Sequence, residues 1–466
     1  LFDMKNVLII FLALITISSK AHSKPVNDCM SNLSIFAEYA KVKNYDSAYE
    51  PWISVKSECP DLNSAIYIYG ERILKDFIKK NEGDKKVKFQ SDLISLYDEW
   101  LKYFPKTKSG RSQVGKILAV KGQSLVDYKL AKNREVYEVF DQAFKKDKNS
   151  FTSPKGLYNY FKVYFNLYKE EGSDVSLEEL FNKYEELVEK FEFEMDSYTK
   201  KLDLLLNKVA NDDPLSNRET KNKRVYEVNM IACSTYLNNL NAIIAKESTC
   251  ENLIPLYRKS FDNFKSDPVW LNRAASRMDS KECSDDPLFV ELVEALHDLN
   301  PSANSAYYLG LLNDKKGDSQ TAIKFYNESI ELETDNLKKA KTLYKIALKF
   351  KKSNQFSQSR NYANRALKFQ PSLGSAYLLI ANLYASSANN CGNSQFDKRA
   401  VYWLAAKEAR RAASVDASIR KTANRTAVSY EGRAPSKTDI FTEGRAGENI
   451  SIGCWIGKSI SVPNLQ

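Results

Sequence analysis

Residues 303–335 read ANSAYYLGLLNDKKGDSQTAIKFYNESIELETD, and residues 341–372 read KTLYKIALKFKKSNQFSQSRNYANRALKFQPS. In the first stretch Leu309 and Gly310 precede a Gly317–Asp318 turn, and Ala322, Tyr326 and Ser329 recur beyond it at three-to-four spacing. In the second, Ile346, Ala347 and Phe350 are followed by Ser359, Ala363 and Ala366, and then by Pro371, which a helix cannot easily continue through. The small residues stand where two helices must approach closely, and the large ones fill the holes between them. Each stretch therefore predicts a helical hairpin.

This small–large alternation resembles the tetratricopeptide repeat, a helix–turn–helix unit of 34 residues. Ala347 and Ala381 are 34 residues apart, as are Phe36 and Gly70 near the other end, whereas Gly310 and Ala347 are 37 apart. The expected fold class is all-α, a tetratricopeptide-like α-solenoid of hairpin repeats with a small C-terminal β-hairpin cap. Scarce glycine and proline (16 and 13 of 466 residues) argue against a turn-rich sandwich or barrel.

Outward from the clear pair, the pattern divides the chain into five regions. Residues 1–23 read as a signal peptide, 24–105 as degenerate N-terminal repeats and 106–250 as middle helical hairpins. Residues 251–428 read as the C-terminal repeats, clearest over 303–371, and 429–466 as the β cap. Residues 79–88 are charged and contain Gly83, which predicts a loop. Residues 175–206 carry an apolar stripe (Leu177, Leu180, Phe181, Tyr184, Leu187, Val188, Phe191) that predicts one long helix or a helix pair, with Glu and Lys on a solvated face. Turn signals at 435–438 and 444–448 lead into a strand-like run at 449–456 and a weaker one at 459–462.

Lys5, the apolar run VLIIFLALITI at 7–17 and the small residues Ala21 and Ser23 have the form of a secretory signal, with initiation expected at Met4 and cleavage near Ser23. The expected location is exported, periplasmic or outer-membrane-associated. Seven cysteines would then meet oxidising conditions. Cys29 with Cys59, Cys250 with Cys283 and Cys391 with Cys454 are the disulfide candidates, and Cys233 is left over; spacing alone leaves the connectivity open. No C-x-x-C pair is present, so zinc is the weaker reading.

The signal, the faint N-terminal and clear C-terminal repeats, the cysteine before Tyr402 and Trp403, and the closing Gly453, Cys454, Trp455 and Ile456 resemble exported tetratricopeptide-repeat proteins of Bacteroidota. The resemblance is most specific over residues 303–456 and implies location and fold more than activity. Arg433-Ala434-Pro435 departs from it, since an aromatic residue before the proline would be more typical, and so does the tail after Pro463.

Nothing in the sequence nominates an enzyme. Of two histidines, His22 lies in the signal and His297 stands on a predicted helix, so a Ser-His-Asp arrangement has little to draw on. No G-x-G-x-x-G or P-loop sequence occurs, and no cofactor or metal is expected. Adjacent acids such as Glu178 and Glu179, or Glu185 and Glu186, read as helix-face charges. The formal net charge of +10 is spread in short runs mixed with acids, which predicts no nucleic-acid partner.

The expected function is a non-enzymatic scaffold or adaptor in the cell envelope that binds a protein or peptide on the concave solenoid face, with possible peripheral association with an outer-membrane complex. First-helix positions Tyr307, Asn313, Tyr344, Lys345, Lys349, Tyr377 and Asn382 are the partner-binding candidates. The alternative is an envelope glycan- or lipid-binding protein with a pocket near the Cys391 insertion, using Trp403 and Trp455.

Overall fold

The computed structural model describes residues 26–465; the signal peptide expected at 1–23 lies outside them. Its elements are helices α1 (Val26–Lys41), α2 (Tyr45–Glu58), α3 (Ala65–Lys80), α4 (Gly83–Tyr103), α5 (Val114–Tyr128), α6 (Asn133–Asp147), α7 (Pro154–Lys169), α8 (Leu177–Ala210), α9 (Asn217–Ile244) and α10 (Cys250–Phe264). They continue with α11 (Pro268–Ser280), α12 (Pro287–Leu299), α13 (Ala303–Lys315), α14 (Ser319–Leu332), α15 (Asn336–Lys352), α16 (Phe356–Phe369), α17 (Gly374–Ser387), α18 (Gln395–Val415), α19 (Arg420–Glu431) and α20 (Lys437–Glu443). Strands β1 (Asn449–Ile452) and β2 (Lys458–Ser461) close the chain as an antiparallel hairpin that pairs Ile450 with Ile460. The fold is an all-α, tetratricopeptide-like solenoid with a C-terminal β-hairpin. No helix among the described residues is long and apolar enough to cross a membrane.

The chain divides into two compact units, with the boundary inside α6: one holds the described residues up to Leu130 with Gln142–Ser150, the other Ala131–Asp141 and everything from Phe151 onward. In the first unit Phe36, Trp52, Tyr67 and Tyr97 are buried among α1 to α4. Trp52 donates from Nε1 to the Ile66 carbonyl at 2.7 Å, and its indole lies where a side chain at Gly70 would have to go: a Cβ there would sit 2.6 Å from Trp52 Cζ2. A disulfide joins Cys29 to Cys59, the start of α1 to the end of α2.

The second unit contains the clear hairpins. Gly310 on α13 faces Tyr326 on α14 in the same relation, a Cβ at 310 falling 2.5 Å from Tyr326 Cδ1. Ala347 on α15 meets Ser359 and Ala363 on α16, all fully buried, and Ser359 donates to the Ala347 carbonyl at 2.8 Å. Disulfides join Cys250 to Cys283 and Cys391 to Cys454, the second tying the β-hairpin to the loop ahead of α18. Cys233 is free and buried.

Three local readings need correction. The expected loop at 79–88 shrinks to residues 81 and 82, because its lysines are good helix formers that extend α3 and open α4. The turn signal at 435–438 instead opens α20: Ser436 and Asp439 form a capping box, each side chain holding the other's backbone N–H. Residues 454–456 belong to the turn between the strands, where Cys454 takes a positive φ of 53°.

Candidate functional site: a polar seam along the longest helix

α8 is 34 residues long, more than twice the 13 and 14 residues of α13 and α14. It begins with a capping box between Ser176 and Glu179. One face is apolar and packs through Leu180, Phe181, Leu187 and Phe191. Another carries carboxylates, and these reach across to the repeats. Arg273 and Arg277 on α11 donate to Glu189 and Glu185, at 2.6 Å for Arg273 Nη2 and 3.0 Å for Arg277 Nε. Lys341 on α15 pairs with Asp196 at 3.1 Å, and Lys200 reaches Asp335, the N-cap of α15, at 3.1 Å. The Ser372 backbone N–H, just ahead of α17, donates to Asp203 at 3.0 Å, and Arg420, the first residue of α19, pairs with Glu227 of α9 at 3.0 Å. The face expected to be solvated is thus a seam of ion pairs and hydrogen bonds.

A seam held by long charged side chains leaves space between backbones that apolar packing would close. One such space, about 500 Å³, lies between the first half of α8 and helices α10 and α11. Its aromatic wall is Tyr257, Phe264 and Trp270. Phe264 and Trp270 are stacked at 5.4 Å and 20°, and Tyr257 meets Trp270 edge-on at 5.8 Å. Its acidic side is Glu178, Glu185 and Glu186.

Arg277 forms the floor. It is 5% exposed, its guanidinium lies 4.5 Å from the Phe181 ring centre, and it donates to Glu185, the Tyr257 hydroxyl (2.9 Å) and the Phe181 carbonyl (3.4 Å). Burial works against its charge, but Tyr257 and Glu185 outweigh it and raise its pKa. Burial pushes Tyr257 up to about 12, so the hydroxyl stays protonated. Glu186 is paired with Lys183 at 2.7 Å, while Glu178 has no ion-pair partner among the described residues. The cleft therefore offers apolar surface and negative charge side by side.

The positions expected to bind a partner fall into different surroundings. Tyr307 is buried against Tyr308 and Tyr326, and its hydroxyl donates to Asp279 at 3.4 Å. Lys345 lies over the Tyr307 ring at 5.5 Å, and Lys349 pairs with the same Asp279 at 3.3 Å, so these three meet in one cluster. Asn313 donates to the Leu309 carbonyl at 2.8 Å, and Asn382 accepts from Tyr430 at 2.5 Å. Tyr377 is buried under Arg411, and Tyr344 is half-buried. His297 shares a hydrogen bond with Ser305 at 3.0 Å and meets Phe325 edge-on, which joins α12 to the start of α13.

The two tryptophans of the alternative reading have separate surroundings. Trp455 rests against Phe356 and Tyr384 beneath Arg360 and donates to Ser387 at 3.0 Å; Trp403 packs on Phe396. Among the described residues no group of three or more His, Cys, Asp or Glu is arranged to hold a metal ion.

The seam escaped the sequence reading. Its signal is the length of α8 together with acids at 185, 189, 192, 196 and 203, spaced by three, four or seven along one face.

No family model matches the chain, and no curated protein matches it. Among solved structures it is similar to a tetratricopeptide repeat protein from Parabacteroides merdae, at 11% identity, 68% of this chain, 97% of that one and a TM-score of 0.24. It is also similar to yeast Tom70 (11% identity, 89% and 79% covered, TM-score 0.25) and to human IFIT1 in a dimer with PPP-AAAA (10%, 88% and 90%, 0.28). Scores this low do not match helix to helix, so the fold stands on the chain's own hairpins.

Proposed function

We propose that this chain is a non-enzymatic interaction protein that binds a polypeptide segment, and that the cleft between α8, α10 and α11 is where it does so. One observation carries the reading: the stacked pair Phe264 and Trp270, of which Phe264 is 37% exposed, faces the carboxylates of Glu178 and Glu186 across about 500 Å³. Ligand sites typically join an apolar wall to a few placed polar groups, and aromatic anchors dominate protein recognition. A segment presenting an apolar side chain next to a lysine or arginine matches this surface. The disulfides support an oxidising, exported location; the periplasm or an outer-membrane complex is the setting we propose. The N-terminal repeats, middle hairpins, C-terminal repeats and β cap are proposed to act as one scaffold.

The test is capture of partners from envelope extract by the mature protein, repeated with Phe264→Ser and Glu178→Lys together. Loss of the captured polypeptide while the fold is retained is expected; undiminished capture would overturn the cleft assignment. Lys345→Glu in the same assay asks whether the Tyr307–Lys345–Lys349 cluster and its neighbours Asn313, Tyr344, Tyr377 and Asn382 belong to the surface.

A further inference from the structure

We propose that a second, separate cavity in the seam binds a protonated amine carried on a short apolar stem. It encloses about 210 Å³ between the middle of α8, α9 and the connections leading into α17 and α19. Met195 and Leu202 of α8 and Met230 and Leu237 of α9 make its apolar walls. The volume lies below the roughly 300–1,000 Å³ of pockets for drug-sized ligands, which suits one stem of side-chain size. Methionine is flexible and polarizable and moulds to such stems.

Its polar lining holds the donors Lys341, Thr199, Ser372 and Ser418 beside the acceptors Glu192, Gln370 and Asp416, and it is these acceptors that an ammonium would meet. Gln370, 9% exposed, lines the cavity, and its side-chain oxygen has no hydrogen-bond partner among the described residues. Asp416 accepts from the Ser418 N–H at 2.9 Å and the Ser418 hydroxyl at 2.6 Å, and has no cation beside it among the described residues. Glu192 stands exposed at the edge without an ion pair among the described residues, whereas the charge of Lys341 is spent on Asp196 at 3.1 Å. A buried acceptor lacking a donor costs free energy until one arrives, and an ammonium group brings three donors and the positive charge that no neighbour supplies to Asp416 among the described residues. An alcohol brings one donor and no charge, and a carboxylate is repelled. The same ammonium can come from a free small monoamine or from a lysine side chain of a polypeptide. The inference is independent of the aromatic cleft, since the residues lining the two cavities do not overlap.

The experiment is methyl NMR of the mature chain labelled at methionine, titrated with n-hexylamine, n-hexanol and hexanoate. Hexylamine is expected to shift Met195 and Met230 saturably and to spare Met30 and Met278. Hexanol should bind at least about ten-fold more weakly and hexanoate not at all. Equal responses to amine and carboxylate would overturn the proposal, and that comparison needs no variant. Gln370→Leu and Asp416→Asn should each weaken hexylamine about ten-fold, and Met230→Trp, which fills the cavity, should abolish the Met195 response. Unchanged binding in folded Met230→Trp would also overturn the proposal. A blocked Ala-Lys-Ala peptide distinguishes the sources: shifts of the same methyls assign the site to lysine side chains, and their absence alongside a hexylamine response assigns it to free amines.

Discussion

Arg277 of α11 donates from Nε to Glu185 of α8 at 3.0 Å while its guanidinium covers the Phe181 ring. The two residues are 92 positions apart, and their pair forms the floor of the cleft. Removing one member of a buried pair leaves the other charge uncompensated, whereas replacing both with apolar groups can be nearly neutral. Arg277→Met is expected to cost about 3 kcal/mol in urea unfolding, and Arg277→Met with Glu185→Leu to recover more than half of that loss. A double variant as unstable as the single one would show that the floor is held by the Tyr257 and Phe181 contacts instead.

Gly310 and Gly70 are the close-approach points of their hairpins. A methyl at either would land 2.5–2.6 Å from an aromatic ring, on Tyr326 or Trp52. Gly310→Val and Gly70→Val should each lose about 2–3 kcal/mol by overpacking. Gly453→Ala, where no described residue lies within 4 Å of the added Cβ, should change stability by less than about 0.5 kcal/mol. Thermal unfolding of the three variants checks the contrast.

The Cys391–Cys454 disulfide spans 63 positions and fastens a two-stranded hairpin that is marginal on its own. Cys391→Ser with Cys454→Ser is expected to cost about 4 kcal/mol at most and to expose residues 444–462 to protease before any helix of the repeats. Mass mapping of early fragments would read this directly; first cuts elsewhere would contradict it.

Cys233 is 1% exposed, and burial, with a smaller contribution from Glu194, pushes its thiol up to about 12. Only the thiolate reacts. Native protein at pH 8 should therefore take up iodoacetamide at least about a thousand-fold more slowly than unfolded protein, where a single adduct forms. Rapid native labelling would mean that α8 and α9 open around it.

The hairpins were legible because their information is local. Gly310 and Tyr326 lie 16 residues apart, and the small–large alternation that joins them repeats along one helix face, so patterning alone specified the class of fold and the helical nature of residues 303–371. The cysteine count and the closing strand-like run anticipated the staples and the cap, though the structure was needed to choose the pairs. The errors came where lysines and a Ser–x–x–Asp box were read as loop and turn, since both fit either state until neighbouring packing selects the helix.

The seam was beyond the sequence for a different reason. An acid on a helix face looks the same whether it meets water or a cation, and Glu185, Asp196 and Asp203 find Arg277, Lys341 and Ser372 at separations of 92, 145 and 169 residues. The sequence by itself determined that the chain folds into helical hairpins, because helix periodicity and close approach are written within each unit. Only the tertiary structure decided that α8 lies against the repeats through charge rather than apolar surface, and so left open the two cavities on which binding is proposed.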